Sequence, residues 1–144
     1  MTTIRNMAIE DYDVVMGLLT ATNGVRLRDT DSHTAIARYL ERNPGLSFVA
    51  LVNGAIVGCV MCGHDGRRGY LQHLAVSPRH RRRGIGSALV EACLAKLAGL
   101  GILKTHIDVL VENQPAHQFW LQHGWQKRDD IYRYSFVKGQ NPNT

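Results

Sequence analysis

Four arginines and a histidine fill Arg79–Arg83, and two glycines, Gly84 and Gly86, follow at once. Ile85, Ala88, Leu89, Ala92, Cys93 and Leu97 then recur at helical spacing, so the basic run and the glycines stand at a helix start. First-turn amides have no intrahelical acceptors and lie at the positive end of the helix dipole. Glycine in a helix costs about 1 kcal/mol relative to alanine, so two of them in a first turn imply that something approaches the backbone closely. Phosphate oxygens suit both the amides and the arginines. A dinucleotide fingerprint would need a third glycine where Leu89 stands, and a Walker loop would need a Gly-Lys-Ser/Thr that is missing. A basic nucleic-acid patch is the weaker alternative, because a strand ending at Ser77-Pro78 before a glycine-bearing helix fits a mononucleotide cradle better.

The remaining reactive side chains are fewer. Cys59 and Cys62 form a Cys-x-x-Cys inside the apolar run Ala55–Cys62, which reads as a strand. Residues three apart on a strand point to opposite faces. The pair is therefore expected to be buried structural thiols, and no metal is assigned. His64 and Asp65 read as turn residues. Arg28, Asp29 and Asp31 read as solvated charge beside a loop.

The elements that must position these groups follow from periodicity and punctuation. Thr2–Asn6 reads as a strand, Ile9–Ala21 as a helix and 22–30 as a loop. Asp31 or Ser32 caps a second helix that runs through Arg42. Leu46–Val52 and Ala55–Cys62 are strands joined by Asn53-Gly54, a strong hairpin signal. Tyr70–Val76 is a strand before the basic run, and the long helix after it ends near Gly99 and Gly101. Leu103–Val111 is a strand, Gln114–His123 a short helix opened by Pro115, and Trp125–Lys127 and Ile131–Val137 are two closing strands. The order β-α-α-β-β-β-α-β-α-β-β predicts a mixed α/β (α+β) fold, with a mostly antiparallel central sheet and a β-α-β crossover in the second half.

With 144 residues, 44% apolar and 20% charged, the chain has room for one domain. That domain is expected over residues 1–138, with 139–144 a frayed polar tail. No apolar run is long enough to span a bilayer, and Glu10, Asp11 and Asp13 interrupt the N-terminus where a signal peptide would be apolar. A cytoplasmic protein without membrane or nucleic-acid partners is the expectation. Seventeen Lys and Arg against 12 Asp and Glu give +5, which favours anionic partners.

The stretch Arg81-x-x-Gly84-x-Gly86 after Val76-Ser77-Pro78 resembles the pyrophosphate loop of the GNAT family of acetyl-CoA-dependent N-acetyltransferases. Downstream, Asn113-x-x-Ala116-x-x-Phe119-Trp120 and Gly124-Trp125 resemble a second block of the same family. The turn Gly63–Gly69 and the residues Arg128, Asp130 and Ile131 are similar to small bacterial YpeA-like members. The resemblance implies acetyl-CoA as cosubstrate and a primary amine on a small molecule, peptide or protein as acceptor. It leaves a homodimer open. It also implies splayed strands, Tyr70–Val76 and Leu103–Val111, that open the cofactor slot. Amides from Arg81, Arg82, Arg83, Gly84, Ile85, Gly86 and Ser87 would hold the pyrophosphate. Leu74, Ala75 and Val76 would pair with the pantetheine, and an amide near Leu74 or Ala75 would serve as oxyanion donor. Asn113, Ala116, Phe119 and Trp120 would line the cofactor's other side.

Catalysis would proceed by direct attack of the amine in a ternary complex. The strand that often carries a Glu or His in this family has Tyr70 and Gln72 there. His73 is the first-ranked base, though it lies on the opposite face unless a bulge re-aims it. A water relay to Asp108 or Glu112 is an alternative. Trp120 stands where many members place a Tyr acid, and indole cannot serve as one; Tyr132 or Tyr134 would substitute. Two other functions compete: a non-catalytic acetyl-CoA sensor and, less favoured, a basic nucleic-acid binder.

Overall fold

A computed structural model describes residues 1–144. Strand β1 (Thr2–Asn6) leads through a 3-10 turn at Ile9–Asp11 into helix α1 (Tyr12–Thr20). A second 3-10 turn, Asp29–Asp31, enters helix α2 (His33–Arg42), where the Ser32 hydroxyl caps the Ala35 amide at 3.2 Å. Strands β2 (Phe48–Val52), β3 (Ala55–His64) and β4 (Gly69–Val76) follow, then helix α3 (Ile85–Gly99), strand β5 (Thr105–Ile107) and helix α4 (Gln114–Gln122). The β2–β3 hairpin turns at Asn53 and Gly54, both left-handed (φ 50° and 79°) as a tight hairpin turn requires. No helix is long and apolar enough to cross a membrane.

The five strands lie in sequence order, antiparallel from β1 to β4 and parallel between β4 and β5. Side-chain alternation divides the core between the two faces. Phe48, Val60, Cys62, Leu89, Cys93 and Leu97 pack on the α3 face, and Val15, Leu19, Ile36, Val49, Cys59 and Met61 on the α1–α2 face. Leu89 and Leu97 have no exposed surface, and burial of each stabilises the α3 layer by about 2 kcal/mol. Cys59 and Cys62 belong to opposite faces and are both buried free thiols.

Two irregularities in β4 shape the site. Cys59 pairs with Ala75 but Met61 pairs with Gln72, so two residues, His73 and Leu74, oppose Val60 alone. This is a β-bulge, and His73 takes a left-handed backbone (φ 56°) to form it. Strand β5 pairs with β4 only at Gly69, Tyr70 and Leu71, so the edge from Leu74 to Val76 has no strand beside it.

The C-terminal quarter differs from expectation. The strand expected over Leu103–Val111 is shortened to Thr105–Ile107, and the closing strands at Trp125–Lys127 and Ile131–Val137 do not form. A strand needs an edge to pair with, and β5 offers only three residues. The charges of 127–130 pair locally instead, Arg128 with Asp130 at 2.9 Å and Lys127 with Asp129 at 3.7 Å. Tyr132, Tyr134 and Phe136 are left 88%, 91% and 90% exposed. The tail expected to fray is tied down. The Asp29 amide donates to the Asn143 carbonyl at 2.9 Å, and the side-chain amides of Asn141 and Asn143 each donate to the Asp29 carboxylate at 2.7 Å. Those two bonds hold the Asp29 carboxyl below its ordinary value.

Candidate active site

A cavity of about 1140 Å³ opens where β4 and β5 part, between the start of α3, helix α4 and the 22–26 loop. One wall is the free edge Leu74, Ala75 and Val76. The floor is the turn into α3, with Arg81, Arg82, Gly84, Ile85, Gly86 and Ser87. The opposite wall carries Asn113, Ala116, Phe119 and Trp120. Of the expected cofactor residues only Arg83 falls outside this lining. Tyr132, expected as the acid, lies outside the cavity as well and is almost fully exposed, because the strand meant to deliver it does not form.

The turn is built to present main-chain nitrogen. None of the backbone amides from Arg81 to Ser87 donates a hydrogen bond within the protein; the first loop-to-helix donor is Ala88, to the Gly84 carbonyl at 3.0 Å. Loop and first-turn amides have no intrahelical acceptor, and here the residues that carry them, Arg83 aside, line the cavity together, at the positive end of the α3 dipole. Gly84 is required by conformation, since it caps α3 in the left-handed region (φ 76°). Gly86 is different, because a Cβ there would lie 3.4 Å from the Phe119 ring, an ordinary contact. Arg81 Nε donates back to the Val76 carbonyl at 3.1 Å and so anchors the turn to the strand edge. Ser87 Oγ and His123 Nε2 are 2.8 Å apart, and His123 Nδ1 donates to the Phe119 carbonyl at 2.7 Å, joining α3 to α4.

His73 lines the same cavity. The bulge turns its ring toward the α2 entrance, where Nε2 lies 2.8 Å from Asp31 Oδ1. The two side chains are 14% and 10% exposed. The other Asp31 oxygen accepts the Arg28 amide at 2.9 Å, and the Asp31 carbonyl accepts the Tyr12 hydroxyl. A carboxylate can only accept, so Nε2 carries the proton of this bond, and Nδ1 is the ring nitrogen that makes no hydrogen bond within the protein. Beneath the bulge, Cys59 Sγ donates to the His73 carbonyl at 3.4 Å. Burial pushes the Cys59 thiol up to about 12, so it remains a donor.

Asp31, expected as a cap or a solvated charge, is buried beside His73. The available signal was its place three residues after Arg28, where a carboxylate can reach back to a turn amide; its partner, 42 residues away, left no local trace. Of the two alternative relay bases, Asp108 lines the cavity and pairs with Arg133 at 3.0 Å, whereas Glu112 lies outside the lining and approaches Arg26 at 3.9 Å. Asp65 accepts the amides of Arg67 and Arg68 at 2.8 and 2.7 Å, as a turn residue does.

A strand-to-helix turn of free amides, an unpaired strand edge beside it and an oriented imidazole share one cavity, an arrangement suited to an extended phosphate-bearing ligand. The chain belongs to the GNAT acetyltransferase family, whose model matches residues 7–125. It is similar to an acetyltransferase of Pectobacterium atrosepticum, ECA0875, at 39% identity over 76% of this chain and 77% of the relative. Its fold is that of the PaiA N-acetyltransferase from Thermoplasma acidophilum, solved with coenzyme A (TM-score 0.80, 18% identity, 91% of this chain and 93% of that one). It is also that of AAC(6')-Iy, solved with the bisubstrate analog CoA-S-monomethyl-acetylneamine (TM-score 0.74, 20% identity, 96% and 99%).

Proposed function

We propose that the protein transfers an acetyl group from acetyl-CoA to a primary amine by direct attack within a ternary complex. One observation carries this reading: a single cavity contains both the unpartnered amides of Arg81–Ser87 and His73 oriented by Asp31. The amides and nearby guanidiniums would hold the pyrophosphate. The free edge Leu74–Val76 would pair with the pantetheine as an added strand, and the Leu74 or Ala75 amide would face the thioester carbonyl as it becomes an oxyanion. Asn113, Ala116 and Phe119 would flank the cofactor from α4.

Aliphatic amines have pKa values of about 8 to 10 and enter mostly as ammonium. His73 Nδ1 removes that proton, directly or through one water. The freed lone pair forms the N–C bond to the acetyl carbon, the C–S bond breaks, and the second proton on nitrogen passes through water to solvent as the neutral amide forms. A thiol of pKa about 8.5 leaves acceptably as thiolate and takes its proton from solvent, so neither Trp120 nor the displaced Tyr132 is needed as an acid. The sensor reading rests on the missing strand carboxylate and on Trp120 where a Tyr would stand; the His73–Asp31 pair offers a base in place of the first, and thiolate release removes the need for the second, which favours catalysis.

The test has two parts. Calorimetry with coenzyme A should give heat, and thiol release from acetyl-CoA should depend on added amine. Binding without release from any amine would favour the sensor, and no heat with coenzyme A would overturn the assignment altogether.

A further inference from the structure

A second cavity, about 350 Å³, lies against α2, β3 and β4. Gln72 lines both cavities, and Asp31, a wall of the smaller one, is hydrogen-bonded to His73, a wall of the larger. The imidazole and its carboxylate thus stand at the junction between the two spaces. We propose that the smaller cavity receives the acceptor, and that the acceptor bears an anionic group, carboxylate or phosphate, at a distance from its reacting amine. The inference rests on the acetyl-transfer reading and names the class of acceptor for it.

The charge pattern leads there. Arg38 and Arg42 lie one turn apart on α2 and both line the cavity. Neither has a carboxylate within 4.0 Å; Glu41, beside them on the helix, pairs with neither. Asp31 is already engaged by His73 and by the Arg28 amide. Two uncompensated guanidiniums at one mouth present forked donors that match a carboxylate or phosphate. Between them in sequence, Tyr39 lines the same wall with its hydroxyl buried and Gln72 as its polar neighbour. Burial raises the Tyr39 hydroxyl to about 12, with nearby Gln72 offsetting it in part, so the wall carries a neutral phenol beside the two guanidiniums. Ile36 and Met61 make the wall between these groups apolar, which suits a short hydrocarbon spacer. With the chain at +5, a polycationic acceptor would meet repulsion at this mouth.

The experiment compares matched acceptors in the thiol-release assay: 4-aminobutyrate against 4-aminobutanamide, phosphoethanolamine against ethanolamine, and spermidine. The acids should exceed their neutral partners by about tenfold or more in kcat/KM, as expected for a charge-assisted contact. The larger of the two ratios distinguishes carboxylate from phosphate. In the double variant R38A/R42A the ratio should fall to within about twofold of unity, through acceptor KM. R38K/R42K should keep part of it. Coenzyme A affinity of both variants, by calorimetry, should stay within about twofold of wild type and reports that they fold. Equal or better use of the amide, ethanolamine or spermidine would overturn the proposal, as would an unchanged ratio in R38A/R42A. Turnover of none of the acids, with coenzyme A still bound, would overturn the acceptor class alone. Failure to bind coenzyme A would overturn the reading beneath it.

Discussion

Asp11 and Asp31 have the same local address. Each is the third residue of a 3-10 turn at a helix entrance, Ile9–Asp11 before α1 and Asp29–Asp31 before α2. Each reaches back with Oδ2 to an amide three residues earlier, Ala8 or Arg28, at 2.9 Å. They are 8% and 9% exposed. Only the partner differs. Arg5 grips Asp11 through two hydrogen bonds of 2.8 and 2.9 Å, whereas His73 meets Asp31 through one of 2.8 Å. A guanidinium keeps its proton at any working pH and here has nothing left to exchange. An imidazole bonded through one nitrogen keeps the other for chemistry. The same turn therefore fastens β1 to α1 in one place and orients an imidazole at the cavity in the other. What separates structure from function is the residue that the far strand delivers.

The difference can be broken most severely at His73. The change His73→Gln should lower kcat by about 10²- to 10³-fold, the range for loss of a general base, with coenzyme A affinity intact by calorimetry. Asp31→Asn should lower kcat by about 10- to 100-fold, as loss of a group that orients a histidine does. Its acetyl-CoA KM should hold, and the ¹⁵N spectrum of His73 should show the tautomer redistributed. If Asp31→Asn keeps full kcat, Asp31 is merely a second Asp11.

The contrast also explains what could be read in advance. The start of α3 was legible because its signals are local: Arg81–Arg83, Gly84 and the apolar period after Ile85 all fall within a few turns. The hairpin at Asn53-Gly54 was legible for the same reason. The bulge at His73 could be named only as a condition, because it exists only in the register of β4 against Val60 on β3, and strand register is a non-local quantity. The His73–Asp31 pair depends in turn on that bulge. Alternating apolar residues from Ile131 to Val137 read as a strand, but alternation states which faces a strand would have and not whether an edge is free to take it.

The structural half of the comparison predicts a pH signature. The Arg5 hydrogen bonds, opposed by partial burial and helped by the Ala8 amide, hold the Asp11 carboxyl below its ordinary value. A depressed folded pKa contributes stability that is fully present above the unfolded value, near 3.9, and is lost as pH falls through the folded one. The Arg5 side chain is 43% exposed, so solvent screening limits the contribution to about 1 kcal/mol. Arg5→Met should therefore lower the urea midpoint at pH 7. The difference from wild type should shrink steadily as the pH is taken below about 4, while kcat at pH 7 stays at the wild-type value. A deficit independent of pH would mean that Arg5 acts by packing its stem and not by its charge.

The smallest effect is expected where the two turns touch. Tyr12 follows Asp11 in sequence, and its hydroxyl donates to the Asp31 carbonyl while its ring meets His33 edge-on at 5.0 Å. Tyr12→Phe keeps the ring contact and removes one hydrogen bond, a loss of about 1 kcal/mol in stability. Its effect on kcat turns on whether the bond also fixes where the Asp31 carboxylate points. The Arg28 amide already holds that carboxylate from its own turn, so the tyrosine shares the task and kcat should fall by no more than about threefold, well under the loss for a sole orienting group. The double variant Tyr12→Phe, Asp31→Asn decides the matter. If Tyr12 acts on catalysis only through Asp31, the double variant should match Asp31→Asn alone in kcat, while the two losses in stability still combine. Fully multiplicative losses in kcat would instead show that the tyrosine reaches the site by another route, such as the placement of α2 against the smaller cavity.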